Sequence, residues 1–216
     1  MKSIGLLAAV VCSMAHTIQA IEEHTFLQSS SPEEWEQAIR WTMSTNHVNA
    51  IRLFSKIVHK EKQNPDASPS ELARYYILYN LAKLDRFSDV ADQQNRLGSS
   101  RLPAPFQVNA RRLLAESLLE SGKFEKVLDV VHQSLTNDAS EDGRLRLLQG
   151  RALAHLGMTS EAIDAISIGL FYGGDIPVDE KKKSVAVLLR ILENQGRLAE
   201  AERLDRIFGS IWIERK

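Results

Sequence analysis

Apolar residues recur along most of the chain at intervals of three or four positions. Between Leu114 and Val131, apolar side chains form one such stripe before Gly122 and a second stripe after Phe124. A period near 3.6 residues is typical of amphipathic helices, whereas strands alternate at every second residue. The pattern therefore predicts pairs of helices that are joined by short turns.

The same two-helix pattern occurs five times. In each copy a glycine or a polar residue separates the two stripes, and these breaks fall 35 to 40 residues apart, at Thr45, Asp85, Gly122, Gly157 and Gly196. Such a residue lets the first helix end in a left-handed conformation before the second helix begins. Because one helical hairpin cannot bury its own apolar face, the copies are expected to stack on one another. We predict an all-α solenoid of five helical hairpins.

Small and bulky residues also recur at fixed distances from these breaks. In the fourth copy the small residues Gly150 and Ala162 lie on either side of the turn, and the bulky Ile166 follows on the second helix. The corresponding residues of the first copy are Ala38, Ala50 and Phe54. This arrangement resembles the tetratricopeptide repeat (TPR), a helical hairpin of about 34 residues. The resemblance implies a TPR-like α-solenoid over residues 32–213, and the longer copies leave a related helical-hairpin solenoid as an alternative.

Composition and charge argue against several classes of partner. Hydrophobic residues make up 44% of the 216 residues, which is ample for a packed core. The 27 Lys and Arg residues are balanced by 28 acidic residues, for a formal net charge of -1. The chain as a whole is therefore not attracted to nucleic acid or to acidic membranes, and any charge-driven binding must be local.

The first twenty residues have the layout of a secretory signal peptide. A lysine near the start is followed by an eight-residue apolar run, and Ala15 and Ala20 are the two candidate cleavage points. The run is too short to span a bilayer, which takes about 20 apolar residues in a helix. We expect residues 1–20 to be removed, residues 21–31 to form an N-terminal tail, and the mature protein to be exported without a transmembrane segment.

The short basic region of this segment favours a bacterial source. The expected location is then the periplasm, or the outside of the cell if the source is not Gram-negative. Cys12, the only cysteine, lies within the segment, and Val11 stands before it where lipoprotein signals usually carry Gly, Ala or Ser. We therefore expect no lipid anchor on Cys12 and no disulfide in the mature chain.

Sequence motifs for catalysis and for metal binding are absent. The chain contains no H-E-x-x-H, G-x-S-x-G, G-x-G-x-x-G or G-x-x-x-x-G-K-[ST] motif. Beyond the predicted signal peptide, the histidines are scattered, and no two of them stand four residues apart on one helix. In a mature chain without cysteine, a structural zinc site would need histidines and carboxylates that folding brings together. We predict a protein that is not an enzyme and that holds no cofactor and no metal.

The TPR resemblance also implies where a partner would bind. In that family the first helices of successive hairpins line a groove that typically takes a peptide. Placing each copy on the family pattern gives these partner-binding residues: Trp35, Tyr75, Tyr79, Asn109, Arg112, Arg144, Arg151, Lys183 and Arg190. In the later copies the five Lys and Arg residues of this set outnumber the two carboxylates of the same face, Glu116 and Glu193. That half of the groove is therefore expected to be positive. The expected partner is therefore a protein or peptide with an acidic segment, since Arg side chains bind carboxylates well.

Three hypotheses for the function follow. The leading one is an exported adaptor that binds a protein or peptide during envelope assembly or secretion. The alternative is a structural subunit of an envelope complex, held through the convex face or the ends of the array. A charged groove should release its partner as salt rises, whereas an apolar end interface should persist, so salt sensitivity separates these two. The third hypothesis is an enzyme of envelope polymers, for which no residue is singled out.

Overall fold

The computed structural model describes residues 32–61, 68–93, 102, 104–135, 139–173 and 176–213. Within these ranges the chain consists of helices and turns, without a strand. The predicted all-α class is therefore confirmed. The predicted signal peptide and N-terminal tail fall on residues 1–31, outside the described residues.

The chain divides into two compact units, residues 1–113 and residues 114–216, with the division inside one helix. The described helices of the first unit are α1 (Pro32–Met43), α2 (His47–Glu61), α3 (Ser68–Lys83) and α4 (Phe87–Ala91). The helix that crosses the division is α5 (Ala104–Glu120). Those of the second unit are α6 (Phe124–His132), α7 (Ala139–His155), α8 (Thr159–Tyr172), α9 (Val178–Asn194) and α10 (Leu198–Ile213). The odd-numbered helices are thus the first helices of the five hairpins.

The five hairpin turns share one backbone conformation. Thr45, Asp85, Gly122, Gly157 and Gly196 have φ angles of 60°, 55°, 71°, 78° and 72°. In the fourth turn the Met158 N–H donates to the Leu153 carbonyl over 3.0 Å, and the Gly157 N–H donates to the Ala154 carbonyl over 3.2 Å. The equivalent two bonds close the other four turns. This is the Schellman arrangement for ending a helix, so all five predicted breaks are confirmed.

Substitutions at these turns test the left-handed conformation. A Cβ added to Gly157 would meet no atom within 4 Å, so the cost of Gly157→Ala is purely conformational. We expect this variant to lose about 1 kcal/mol in the free energy of unfolding. Thr45→Gly should gain about 0.5 kcal/mol, because relief of strain at a β-branched residue exceeds the added entropy of the unfolded chain. Urea denaturation of the two variants measures both effects, and equal stability of Gly157→Ala and the wild type would contradict the turn geometry.

The two units have cores of different composition. Aromatic rings dominate the first: Phe54 and Tyr76 stack with centroids 5.1 Å apart, and Tyr75 meets Phe106 edge-on at 5.1 Å. In the second unit, small residues bring α7 and α8 together instead. The Ala162 side chain is fully buried, and a Cβ on Gly150 would overlap Ile166. The small positions seen in the sequence are therefore points of close helix contact.

Candidate functional site

Two of the three aromatic residues that the TPR resemblance assigns to the groove lie in the core. Trp35 is 1% exposed and Tyr75 is 7% exposed. The Trp35 ring lies 5.4 Å from the ring of Phe54, nearly perpendicular to it, and Tyr75 packs against Phe106. The predicted exposed position of Trp35 and Tyr75 is therefore wrong.

The reason is visible when the hairpins are aligned on their left-handed turn residues. Trp35 and Tyr75 then share a position with Leu147 of α7, which is also buried. The same position holds the half-buried Arg112 in α5 and the exposed Ala186 in α9. A large apolar side chain at this point turns into the core because that removes its surface from water. The family pattern alone does not distinguish these cases.

Tyr79 and Asn109 keep partial access to solvent. Both are half-buried on the first helices of their hairpins. The Lys83 ammonium lies 5.4 Å from the centroid of the Tyr79 ring, a distance at which cation and ring attract each other. Tyr79 is therefore the one predicted aromatic residue of the first unit that stays at the surface.

Arg144 and Arg151 of α7 form ion pairs with the neighbouring first helices. Arg144 pairs with Glu180 of α9, and its Nη2 lies 3.8 Å from Glu116 Oε2 of α5. Arg151 Nη2 donates to Glu120 Oε1 over 3.0 Å. The two arginine side chains are only 21% and 15% exposed, so solvent and salt screen these pairs less than they would at the open surface. Both arginines therefore link successive hairpins.

These pairs change the charge expected of the groove. The sequence places only Glu116 and Glu193 among the five cations, whereas in the structure Glu120 and Glu180 also lie beside Arg151 and Arg144. Glu120 follows Glu116 by one helical turn, which is a signal that the sequence does contain. The predicted positive excess over this whole face is therefore too large.

The equivalent cations of α9 do not form such pairs with the described residues of α7. Counted from the turns, Lys183 and Arg190 of α9 stand where Arg144 and Arg151 stand in α7. The positions of Glu116 and Glu120, however, are occupied in α7 by Arg151 and His155. His155 stacks on Phe124 with the ring centroids 4.3 Å apart. No carboxylate therefore stands on α7 where it would pair with the two cations of α9.

Lys183 and Arg190 are consequently the accessible cations of this face. Both side chains are exposed, and within the part of the chain that the structure describes neither takes part in an ion pair. They lie on one side of α9, two helical turns or about 10 Å apart. We call the surface formed by Lys183, Arg190 and Arg151 the α7–α9 face.

Two further properties of the described residues bear on function. None of the helices in the described ranges combines the length and the apolar character needed to cross a bilayer. Among the same residues, His, Cys, Asp and Glu side chains do not gather in a group of three that could hold a metal ion.

Comparison with known proteins identifies the fold. No family model and no curated protein matches the chain. Two crystal structures of a kinesin light chain-like protein from Podosopora anserina, with nearly identical TPR-like repeats, are similar to it. One of them, a Gln-to-Met variant, matches with a TM-score of 0.63 and 13% sequence identity over 87% of this chain and 96% of that chain. The other matches with a TM-score of 0.58 and 14% identity over 88% of this chain and 98% of that chain.

At such low identity the likeness establishes the fold and leaves the function to be argued from the site. The chain has a TPR-like helical-repeat fold, so the predicted resemblance and the predicted fold class are confirmed. This fold commonly mediates binding between proteins and is typically non-catalytic.

Proposed function

We propose that this chain is a non-catalytic adaptor whose α7–α9 face binds an acidic segment of a protein partner. The observation that carries the proposal is the interrupted ion pairing of the second unit. Arg144 and Arg151 pair with carboxylates from neighbouring helices, whereas Lys183 and Arg190, at the equivalent positions, have no such partner among the described residues. A carboxylate from a partner would complete the same pattern.

The spacing of the two cations constrains what binds. An extended chain advances about 3.3 Å per residue, so acidic residues three positions apart match the separation of about 10 Å along α9. The guanidinium of Arg190 can hold one carboxylate through two parallel hydrogen bonds, and the Lys183 ammonium supplies a point charge for the other. We therefore expect the partner segment to contain two acidic residues separated by two others.

Charge reversal of the free cations tests this role. We expect the full chain, immobilised and exposed to a cell-envelope extract, to retain a protein that Lys183→Glu/Arg190→Glu does not retain. Arg203→Glu/Arg206→Glu is the matched control, because it makes the same charge change at exposed cations of α10. Titration with the acidic segment of the retained protein should show binding at least about ten-fold weaker for the first variant and unchanged for the control. Binding to the wild type should also weaken as salt increases.

The competing role is that of a structural subunit of an envelope complex, held through another surface. Retention of the same protein by the wild type and by Lys183→Glu/Arg190→Glu, with little dependence on salt, would contradict the α7–α9 face and favour that role. Charge-reversal variants at Arg144 and Arg151 are less suitable for the test. They would also break the ion pairs with Glu116, Glu120 and Glu180, so a loss of binding would have two explanations.

The proposed setting is the bacterial periplasm, in envelope assembly or secretion. It is supported by the N-terminal sequence alone, with its early lysine, short apolar run and candidate cleavage points at Ala15 and Ala20. Mass spectrometry of the protein isolated from its host would locate the mature N-terminus. An intact Met1 on the bulk of the protein would contradict export by this route.

A further inference from the structure

A second surface of the same unit exposes large apolar side chains. On α8, Ile168 is 38% exposed, Phe171 is 82% exposed and Tyr172 is 51% exposed. The rings of Phe171 and Tyr172 meet edge-on with their centroids 5.0 Å apart. Among the side chains that the structure describes, the other helices expose at most two large apolar residues each, so three on one helix need a separate explanation.

These side chains form one stripe with two exposed carboxylates. Glu161, Asp164, Ile168, Phe171 and Tyr172 follow the three- and four-residue spacing that places residues on one side of a helix. A different side of α8, formed by Ala162, Ala165, Ile166 and Gly169, is buried. The stripe runs about 16 Å along the helix, and its character changes from acidic at the start to apolar at the end. We call these five residues the α8 stripe.

We propose that the α8 stripe docks a basic amphipathic helix of a protein partner. The apolar half would receive aliphatic side chains, and the acidic half would receive Lys or Arg from the same helix. Among the described residues, neither Glu161 nor Asp164 takes part in an ion pair, so both carboxylates are available to a partner cation. Exposed Tyr and Phe rings are suitable anchors because they bury a large area with little loss of side-chain freedom.

The surface favours a helical occupant over an extended one. The backbone groups of α8 are already used within the helix, so an extended segment would find no backbone hydrogen bonds there. A helix satisfies its own backbone and can pack its side chains between those of the stripe, as the hairpins of this fold already do. Three turns of helix match the length of the stripe.

The α10 helix of a second copy is a poorer match for the stripe. The exposed side of α10 carries Ile207 near Arg203 and Arg206, but it also carries Glu202 and Asp205. Those carboxylates would meet Glu161 and Asp164, and like charges repel. A partner helix of basic character fits the stripe without that conflict.

The test uses two synthetic helical peptides and the full chain. Each fluorescein-labelled peptide has about 18 residues, enough to form a helix alone, with leucines along one face. The first also carries lysines at one end of that face, and the second carries glutamates in their place. We expect fluorescence anisotropy to show that the wild type binds the lysine peptide. Phe171→Ser should bind it at least about ten-fold more weakly. Binding to Glu161→Gln/Asp164→Asn should depend less on salt than binding to the wild type does. Lys183→Glu/Arg190→Glu should bind this peptide as the wild type does, so the outcome is independent of the α7–α9 face.

Three results would overturn the proposal. The first is equal binding of the lysine peptide by Phe171→Ser and the wild type. The second is equal affinity for the glutamate peptide, since the acidic half would then contribute nothing. The third is concentration-dependent dimerisation of the wild type that Phe171→Ser abolishes, because a second copy would then be the occupant.

Discussion

Trp35→Ala is expected to lower the free energy of unfolding by about 3–5 kcal/mol. The Trp35 side chain is 1% exposed and contacts Phe54 and Tyr76, whose ring centroids lie 5.4 and 6.2 Å away. Both contacts are edge-on, a favoured arrangement of aromatic rings. The substitution leaves a cavity at the centre of this three-ring cluster. Urea denaturation followed by far-ultraviolet circular dichroism measures the loss without relying on the fluorescence of the deleted ring.

Phe171→Ala provides the matched control. It also removes an aromatic ring from a helix, but Phe171 is 82% exposed. We expect the free energy of unfolding to change by no more than about 0.5 kcal/mol. A Trp35→Ala variant as stable as the wild type would contradict the buried position. It would support instead the exposed groove position that the sequence predicts for Trp35.

The turns of this fold could be predicted from the sequence because each depends on local chemistry. A helix that ends in a left-handed residue favours glycine, and Gly122, Gly157 and Gly196 mark three turns directly. Thr45 and Asp85 are not glycines, so their turns are marked by the change of apolar stripe and by the spacing to the other copies. Repetition therefore supplied information that no single copy contains.

The face that each side chain presents could be predicted less well. Trp35, Tyr75 and Leu147 share one position along their hairpins, so the place of Leu147 among the apolar residues of its helix is the sequence signal that this position can face the core. The family pattern places that position on a groove whatever residue occupies it. Burial depends on the particular side chain and on the helix packed against it, and those vary among the copies.

Ion pairs between hairpins are the second feature that could not be predicted from the sequence. Arg144 and Arg151 look like free cations when α7 is considered alone, since their partners Glu116, Glu120 and Glu180 belong to other hairpins. Placing these partners requires the register between stacked helices, which the structure supplies. The accessible charge at Lys183 and Arg190 follows from the same register, so the site could be proposed only after the pairs were known.

Gly169→Ala is expected to lower the free energy of unfolding by about 1–2 kcal/mol, against the usual preference for alanine in a helix. A Cβ at Gly169 would lie 2.6 Å from Leu147 Cδ2 and 2.8 Å from the Gly143 carbonyl oxygen. Leu147 can rotate away, but the carbonyl is part of the α7 backbone and moves only if α7 and α8 separate. The overpacking therefore exceeds the gain of about 1 kcal/mol that alanine gives elsewhere in a helix.

Gly209→Ala makes the same change at a position where the added Cβ has room. Gly209 also lies within a helix, α10, and its added Cβ would meet no atom within 4 Å. We expect this variant to gain about 0.5–1 kcal/mol in the same urea denaturation experiment. A lower free energy of unfolding for Gly169→Ala and a higher one for Gly209→Ala would show that the loss at Gly169 comes from the contact between α7 and α8. A gain in both would mean that these helices lie farther apart than the close approach at Gly143 and Gly150 requires.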